Sequence, residues 1–544
     1  MPYCTIPERL QMLAKQTPDK EAIVFVGEQK RIGVTYQEIV DGALEMARKM
    51  LTIGIKKNDV VAIHDDKSPS WLFYTFGAQM CGAWPLHFYF QRKDGSDVAD
   101  ILKRSGCKIV ISQPGDGDEY IQIMKSFLQF KGDGTVESKN VPTLKQVLLT
   151  RKPASLQNPL TFDEILPSSK DLPLTEPEDI AGIFCSSGST GLPKMISWSH
   201  TNTIASALST LERLEFTEGQ SYFCDRTFGW IGGYPREIFI GIRRVTNSTT
   251  FKEKNVKEVC DATVRIINQE NCEHVVLFST TIDELMKGNY MMKPVQTIAT
   301  GGGPISAKDS QLVGKFCQKF IHAYGSTENG AISLNVITSE QKMKSYDTGV
   351  PFPGIEVKVT DMNGCLSEVG DVGEVYVRNR LSSTGYLHEE QDWHKSNRVE
   401  GYWFKTGDSG YISGDGHLFV AGRISEAIMI EGKILSPSHF EDIFKRNPYV
   451  EDVVAFGIPD EVFYEVAGLA VLLKEGKSVC MEELLEFYKI ERSLRYDDSF
   501  YASKFVPRQI VFFDSFPMTN SGKIARKLVK EMALEKIGFH GRKN

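Results

Sequence analysis

The sequence predicts an α/β protein with a large N-terminal body of helix-flanked β-sheets, a small antiparallel β unit, and then a smaller α+β C-terminal domain. Two patterns indicate this class. In the first third of the chain, amphipathic segments alternate with short apolar runs, which is typical of parallel strands covered by helices. After Gly349, apolar and polar residues alternate and turn dipeptides recur, which is typical of antiparallel strands. The 544 residues are enough for several domains.

The first third supplies the α/β elements in order. Apolar residues at helical spacing predict helices over 37–51 and 70–82, and short apolar runs predict buried strands at 60–63 and 108–111. The stretch 113–140 is rich in Gly, Asp and Lys, so we expect surface loops there.

The antiparallel unit is predicted over 349–421. Its alternating runs are separated by Asn363-Gly364 and Asp415-Gly416, dipeptides that favour tight hairpin turns. The residues after Arg423 mix short apolar strands with a helix that we expect Ser478 to cap. We therefore predict a body over 1–424, which includes the β unit, and a C-terminal domain over 425–544.

Composition excludes several classes of protein. The net charge is −7, which argues against a dedicated nucleic-acid binder because phosphate backbones require clustered positive charge. The ten cysteines form no CxxC pair and no HExxH occurs, so we expect free cysteines and no zinc centre. We see no apolar run long enough to span a membrane, no signal peptide and no C-terminal peroxisomal tripeptide, and we expect a soluble intracellular protein, by default cytoplasmic. The oligomeric state stays open.

A loop dense in glycine and hydroxyl residues follows a predicted buried strand at 181–185. Its candidate phosphate-binding residues are Ser186, Ser187, Gly188, Ser189, Thr190, Gly191 and Lys194. Glycines let backbone N–H groups curl around phosphate oxygens, and hydroxyls and a lysine add donors and charge. The spacing does not fit GxxxxGK[ST], and a flexible surface loop is the alternative interpretation. We expect a helix to begin near Ser199 or Asn202.

This loop resembles the phosphate loop of the adenylate-forming superfamily, which contains acyl- and aryl-CoA synthetases, beetle-type luciferases and the adenylation domains of peptide synthetases. Further motifs match in the same order over nearly the whole chain: Thr300-Gly301-Gly302-Gly303-Pro304, Ala323-Tyr324-Gly325-Ser326-Thr327-Glu328, the YWFKTGD segment 402–408, Gly422-Arg423 and the NSGKI segment 520–524. The chain is most similar to an acyl-CoA synthetase.

The resemblance implies a reaction and its substrates. A carboxylic acid would be activated by ATP as an acyl-adenylate with release of pyrophosphate, and the acyl group would then pass to the thiol of CoA. ATP, Mg²⁺, CoA and a small-molecule acid are the implied cofactors and partners. One alternative is a luciferase-type monooxygenase that adenylates a luciferin and oxidises it with O₂. Others are an enzyme that loads a carrier-protein thiol and a non-catalytic relative that senses a ligand.

The resemblance also assigns roles to residues. Lys523, Thr190, Thr327 and Glu328 would be catalytic, with Lys523 bridging carboxylate and α-phosphate and Glu328 holding Mg²⁺. The nucleotide would further contact the residues that follow the phosphate loop: Gly302, Gly303 and Pro304 beside adenine, Tyr324 stacked on adenine with Gly325 and Ser326 beside it, Asp408 at the ribose and Arg423 at the ribose or phosphate. A surface salt bridge is the alternative for Asp408, and a solvated lysine is the alternative for Lys523.

The remaining implied features concern the acid and the second half-reaction. Trp230, Gly301 and Ala323 would line the acyl pocket, with simple core packing as the alternative for Trp230. Ser425 stands at the hinge about which the family's C-terminal domain rotates, where Asp or Lys is usual. Lys433 and His439 also depart from the family pattern near the expected CoA tunnel, so the departures affect the thioester half more than the adenylation half.

Overall fold

The computed structural model describes residues 3–89, 94–131, 133–156, 159–186, 193–248, 255–303, 307–338, 344, 346–388, 398–399, 402–430, 433–493, 506–518 and 524–539. They belong to two compact units. The first comprises Met1–Ser345, Pro351–Ile355 and Asn379–Arg398, and the second comprises Tyr346–Val350, Glu356–Arg378 and Val399–Asn544. The domain boundary expected after residue 424 stays a prediction.

The helices have the following bounds in chain order: α1 Ile6–Gln16, α2 Tyr36–Thr52, α3 Pro69–Met80, α4 Ser96–Arg104, α5 Glu119–Lys125, α6 His200–Arg213, α7 Val256–Glu270, α8 Ser279–Lys287, α9 Pro437–Phe444, α10 Met481–Ser493 and α11 Arg526–Lys536. Short 3₁₀ turns occur at Asp116–Asp118, Phe162–Glu164, Arg236–Ile240, Ala307–Leu312 and Ile424–Glu426. Local sequence explains the helix starts, because a serine or threonine cap accepts an otherwise unpaired N–H. Ser199, for example, accepts from the Asn202 N–H at the start of α6.

The strands have the following bounds: β1 Glu21–Val26, β2 Arg31–Thr35, β3 Val60–His64, β4 Trp84–His87, β5 Ile109–Ser112, β6 Gln129–Phe130, β7 Val136–Glu137, β8 Gln146–Leu149, β9 Ile180–Ser186, β10 Lys194–Ser199, β11 Ser221–Cys224, β12 Arg243–Asn247, β13 His274–Val276, β14 Val295–Gly301, β15 Cys317–Ser326, β16 Gly330–Ile337, β17 Val350–Pro351, β18 Ile355–Thr360, β19 Gly373–Asn379, β20 Gly385–Tyr386, β21 Arg398–Val399, β22 Trp403–Ile412, β23 Leu418–Arg423, β24 Ile428–Ile430, β25 Lys433–Leu435, β26 Val450–Asp460, β27 Tyr464–Leu473 and β28 Gln509–Phe513.

Two large mixed sheets carry the first unit. One has the order β17-β16-β15-β14-β13-β11-β12-β1-β2 and the other the order β20-β10-β9-β4-β3-β5-β8. Parallel pairing runs through their centres, whereas β15 with β16 and β9 with β10 pair antiparallel. Apolar side chains of the strands and covering helices form separate buried clusters, one around Phe223 and Phe320 and another around Val110 and Ile183.

Two smaller sheets carry the second unit. In the first, β18, β19, β22 and β21 lie side by side and β23 pairs with β22; in the other, the order is β25-β24-β27-β26 and β28 pairs with β27. Antiparallel pairing joins β19 to β22, β22 to β23, and β26 to β27. Ile428, Phe440, Leu469 and Tyr488 lie in the buried core beneath the latter sheet.

The predicted fold class is confirmed, and two local expectations are wrong. The apolar side chains within 113–140 form α5, whose Tyr120, Ile121 and Met124 are buried, instead of lying in surface loops. The helix expected after Ser478 begins at Met481, and the N–H of Cys480 directly before it donates to the carboxylate of Glu483. All ten cysteines are free. Within the ranges given above, no helix combines the length and apolar character needed to cross a bilayer.

A buried ion pair holds the segment between β11 and β12. Arg244 is fully buried on β12, and its Nη1 lies 2.9 Å from Oε2 of Glu237. Its Nη2 donates to the carbonyl oxygen of Gly233 at 3.1 Å. The guanidinium therefore fixes the loop that ends at Gly233, and this loop contains Trp230.

Glu237→Gln should lower the free energy of unfolding by about 3 kcal/mol, because it leaves the buried Arg244 charge without its counter-ion. Urea denaturation at pH 7 measures the change. Glu215→Gln is the matched control, since Glu215 pairs with Lys319 at 2.8 Å but is 75% exposed; its effect should stay below about 1 kcal/mol. Equal effects of the two substitutions would contradict this account.

Candidate functional site

The glycine-rich loop closes a β-hairpin. Ser186 ends β9 and Lys194 begins β10, and the two residues are paired in antiparallel register. Ser187, Gly188, Ser189, Thr190 and Gly191 lie outside the described residues. The helix expected near Ser199 is α6, and β10 separates it from the loop. Any phosphate binding by this loop therefore depends on the loop's own backbone and hydroxyl groups and on Lys194, not on a helix that starts directly after it.

The turn between β15 and β16 carries Thr327 and Glu328, and its backbone is held at three successive carbonyl groups. Trp198 Nε1 donates to the carbonyl oxygen of Thr327 at 2.9 Å. The Ser383 N–H donates to the carbonyl oxygen of Glu328 at 2.8 Å, and Asn379 Nδ2 donates to the carbonyl oxygen of Asn329 at 2.8 Å. Because these donors come from other segments, the turn presents its side chains from a fixed backbone.

A hydrogen-bond chain joins Lys194 to Glu328 through Tyr386. Lys194 Nζ donates to the Tyr386 hydroxyl at 3.1 Å, and that hydroxyl donates to Glu328 Oε1 at 3.2 Å. Pairing of β20 with β10 places Tyr386 opposite Ile196, two residues from Lys194. Within the described part of the chain, Oε2 of Glu328 has no hydrogen-bond partner.

This arrangement fits a divalent cation that a nucleotide also ligates. Mg²⁺ in nucleotide sites is held by one or two carboxylates together with phosphate oxygens. The described residues contain no group of three His, Cys, Asp or Glu side chains that could cage a metal. Glu328 would therefore supply a carboxylate oxygen, and the rest of the coordination would come from phosphate and water.

The predicted adenine wall lies where β14 and β15 run in parallel. Gly301 faces Ala323 in the register, and a Cβ at position 301 would lie 2.3 Å from the carbonyl oxygen of Ala323. Only glycine allows this approach. No heavy atom of a described residue lies within 4 Å of a Cβ position at Gly303, so one side of this glycine is open. Pro304 lies outside the described residues.

Tyr324, Gly325 and Ser326 end β15. Tyr324 is half-buried, and Gly325 approaches the next strand so closely that a Cβ there would lie 2.2 Å from the carbonyl oxygen of Gly330. The register shifts between Tyr324 and Gly325, which bends the strand as it enters the turn with Thr327 and Glu328.

The three residues predicted for the acyl pocket are connected through two side chains that the sequence reasoning had not selected. Trp230 is 44% exposed, which excludes a plain core tryptophan, and its ring meets that of Phe278 edge-on at 6.0 Å. Arg226 lies over the face of Phe278 at 5.2 Å, and its Nη2 donates to the carbonyl oxygen of Gly301 at 2.9 Å. Trp230, Gly301 and its neighbour Ala323 thus belong to one region.

Cys185, directly before the glycine-rich loop, is not a nucleophile at neutral pH. Burial raises the pKa of its thiol to about 12, so the thiol stays protonated.

Asp408, Arg423 and Ser425 lie in the second unit. Asp408 and Arg423 are paired residues of β22 and β23, and Arg423 Nη1 lies 3.2 Å from Asp408 Oδ1. The salt bridge weighed as an alternative for Asp408 is thus present, although the Asp408 side chain is only 14% exposed. Ser425 is exposed in the 3₁₀ turn after β23. Lys523 lies outside the described residues, and the roles of these four residues stay predictions.

The comparisons with known proteins decide the family. Residues 10–387 match the family described as AMP-binding enzyme, and residues 439–523 match the AMP-binding enzyme C-terminal domain. The chain belongs to the AMP-binding enzyme family. The predicted resemblance to the adenylate-forming superfamily is thereby confirmed.

Relatives of this AMP-binding enzyme match nearly its whole length. A mitochondrial medium-chain acyl-CoA ligase of Bos taurus is 25% identical over 97% of this chain and 87% of its own. A 2-succinylbenzoate–CoA ligase of Listeria innocua is 24% identical over 96% and 98% of the two chains. Among solved structures, the anthranilate CoA ligase AuaEII with anthranoyl-AMP superposes with a TM-score of 0.79 at 19% identity, covering 99% of each chain. O-succinylbenzoate CoA synthetase of Bacillus subtilis with AMP superposes with a TM-score of 0.76 at 20% sequence identity. The match covers 97% of this chain and 98% of the synthetase.

Sequence reasoning missed Tyr386, Trp198 and Arg226 in this AMP-binding enzyme. Arg226 lies four residues before Trp230 in the sequence, and a charged residue beside an expected acyl pocket was a usable signal. Tyr386 and Trp198 carried no such signal, because their contacts depend on the pairing of β20 with β10 and on where β10 lies relative to the turn after β15.

Tyr386→Phe should raise the Kd for Mg-ATP about tenfold, because it removes the hydroxyl that orients Lys194 and Glu328 but keeps the ring. The magnesium concentration needed for half-maximal nucleotide binding should rise as well, which a purely structural tyrosine would not affect. Equilibrium titration at several magnesium concentrations measures both.

Tyr449→Phe is the control for that substitution, since Tyr449 is 42% exposed and lies away from these residues in sequence. Its Kd should match that of the unchanged protein. Unaltered nucleotide and magnesium affinities in Tyr386→Phe would refute the positioning role.

Proposed function

We propose that this chain is an AMP-forming acid–CoA ligase. A carboxylate oxygen of the acid attacks the α-phosphorus of ATP, the bond to the pyrophosphate oxygen breaks, and an acyl-adenylate forms. The sulfur of CoA, having lost its proton, then attacks the acyl carbon, and AMP leaves with the electrons of the acyl–oxygen bond. Family membership along the chain and the names of its relatives support this reaction.

The observation that carries the proposal is the chain from Lys194 through Tyr386 to Glu328. The Tyr386 hydroxyl is hydrogen-bonded to a cation and to a carboxylate. It lies 3.1 Å from Lys194 Nζ and 3.2 Å from Glu328 Oε1. In-line displacement at phosphorus needs positioning and charge neutralisation more than covalent help from the protein. A lysine beside a glycine-rich loop and a carboxylate suited to magnesium supply these requirements.

We propose the other roles from the resemblance to the family. Lys194 and the loop hydroxyls, Thr190 among them, bind phosphate oxygens, and Thr327 donates to the α-phosphate. Glu328 holds Mg²⁺, which screens phosphate charge when bound. Tyr324 and the glycines at 302 and 303 contact adenine, while Asp408 and Arg423 bind the ribose. Lys523, in the C-terminal domain proposed for 425–544, bridges carboxylate and α-phosphate.

CoA is proposed as the acceptor. The relatives and the solved structures described above are named as CoA ligases or synthetases, which favours a thiol acceptor. Those names give no support to the luciferase alternative, and we do not propose it. Ser425, Lys433 and His439 depart from the usual residues of the thioester half, so dependence on CoA is the point that an experiment has to test.

The test measures AMP release from Mg-ATP with a panel of carboxylic acids, each with and without CoA. We expect AMP and acyl-CoA to form in equal amounts. Under multiple-turnover conditions, both products should form only when the acid and CoA are present together. An equal rate of AMP release with and without CoA would contradict the proposal that CoA is the acceptor. Absence of AMP with every acid would contradict the ligase itself.

Lys523→Ala should lower the rate of adenylate formation about 10²- to 10³-fold, because it removes a cation that stabilises the charge developing between carboxylate and phosphate. The Kd for ATP should change little. Lys527→Ala is the control, an exposed lysine four residues further along, in α11. If Lys523→Ala adenylates as fast as Lys527→Ala, the assignment of Lys523 is wrong.

A further inference from the structure

Arg226 borders the proposed acid pocket with a guanidinium that the protein only partly satisfies. Its Nη2 donates to the carbonyl oxygen of Gly301 at 2.9 Å. Its Nη1 lies 3.8 Å and 4.0 Å from the Cβ positions that side chains at Gly302 and Gly232 would occupy. Since neither glycine has a side chain, nothing from these two positions covers Nη1.

The guanidinium is held in place by its surroundings. Arg226 is half-buried, and its charge lies 5.2 Å above the ring of Phe278. The main-chain N–H of Phe278 donates to Oδ2 of the buried Asp225 at 2.8 Å, which fixes the residue that carries the ring. The guanidinium is thus supported on one face and anchored at one nitrogen. It therefore loses little conformational entropy when a ligand binds to it.

Arg226 makes no direct ion pair within the described residues. No carboxylate there lies within 4 Å of its guanidinium nitrogens, Gly301 offers its only hydrogen-bond acceptor, and the buried Nε has no partner. Asp225 is the nearest opposite charge, but it is buried, its Oδ2 accepts from the Phe278 N–H, and it makes no hydrogen bond or ion pair with Arg226. A half-buried guanidinium with one hydrogen-bond acceptor and no direct ion pair favours an anionic ligand.

Two further cations, Lys67 and Arg244, share Asp225 with Arg226. Lys67 is buried and donates to the carbonyl oxygen of Asp225 at 3.1 Å, and Arg244 is already paired with Glu237. The positive charges of Arg226, Lys67 and Arg244 all act on Asp225. An alkyl chain placed against Arg226 would displace water from the guanidinium without providing a hydrogen-bond acceptor in its place.

We propose that the acid activated by this chain carries a second carboxylate, which binds Arg226 while the first one reacts. The inference rests on the proposed ligase function and names the substrate class of that same site. A guanidinium and a carboxylate match in shape and can form two parallel N–H···O bonds, whereas a methyl end has no such match. Arg226 is then the residue that determines specificity.

The test compares each straight-chain alkanoic acid of four to eight carbons with the dicarboxylic acid of the same length, in CoA-dependent AMP release. We expect kcat/KM to favour the diacid at one or more lengths. Arg226→Gln should lower the ratio of diacid to monoacid kcat/KM by about 10- to 100-fold, mostly through the KM of the diacid. Glutamine keeps a donor for Gly301 but removes the charge.

Arg9→Gln is the matched control. Arg9 is also half-buried and donates its Nε–H to a main-chain carbonyl, that of Phe239, at 2.7 Å. It has no place in the proposed site, so the diacid to monoacid ratio should equal that of the unchanged enzyme.

The outcomes separate the two claims. If alkanoic acids are turned over and diacids are not, the second-carboxylate inference fails and the ligase function stands. If Arg226→Gln lowers both acids equally and raises the KM of ATP, Arg226 binds a phosphate of the nucleotide and the inference also fails. If no acid supports AMP release, the proposed function fails, and the inference fails with it.

Discussion

The hydroxyl of Tyr386 keeps a positive and a negative side chain close to each other without letting them neutralise each other. It accepts from Lys194 and donates to Glu328, and among the described residues these two charged groups do not come within ion-pair distance of one another. A direct salt bridge would use both charges, whereas the phenol leaves the lysine available for phosphate and a glutamate oxygen available for a cation. The rest of the proposed site depends on this separation.

Three segments distant in sequence have to converge for this interaction to exist. The pairing of β20 with β10 brings Tyr386 beside Lys194, and the bonds from Trp198, Ser383 and Asn379 hold the turn that carries Glu328. The acid side of the site has a similar foundation, because the buried Arg244–Glu237 pair holds the loop that contains Arg226 and Trp230. Stability and proposed specificity are therefore linked through the same loop.

Sequence alone predicted the elements whose signal is local. The helix expected over 37–51 is α2, and the strands expected at 60–63 and 108–111 are β3 and β5, because apolar periodicity directly reports burial. The segment that became α5 was misjudged since its Gly and Asp content outweighed three buried apolar residues. Motif order identified the family, but Tyr386 and the donors to the turn could not be predicted, because each acts through strand pairing or tertiary contact. Arg226 was visible in sequence, yet its relation to Gly301 and Phe278 required the fold.

The central claim is that an acyl-adenylate forms before any thiol takes part. Exchange of labelled pyrophosphate into ATP, measured without CoA and with or without acid, tests it most directly. The account predicts label in ATP only when an acid that supports turnover is present, because adenylate formation then runs in both directions. No exchange with an acid that does support CoA-dependent AMP release, or equal exchange without acid, would contradict the account.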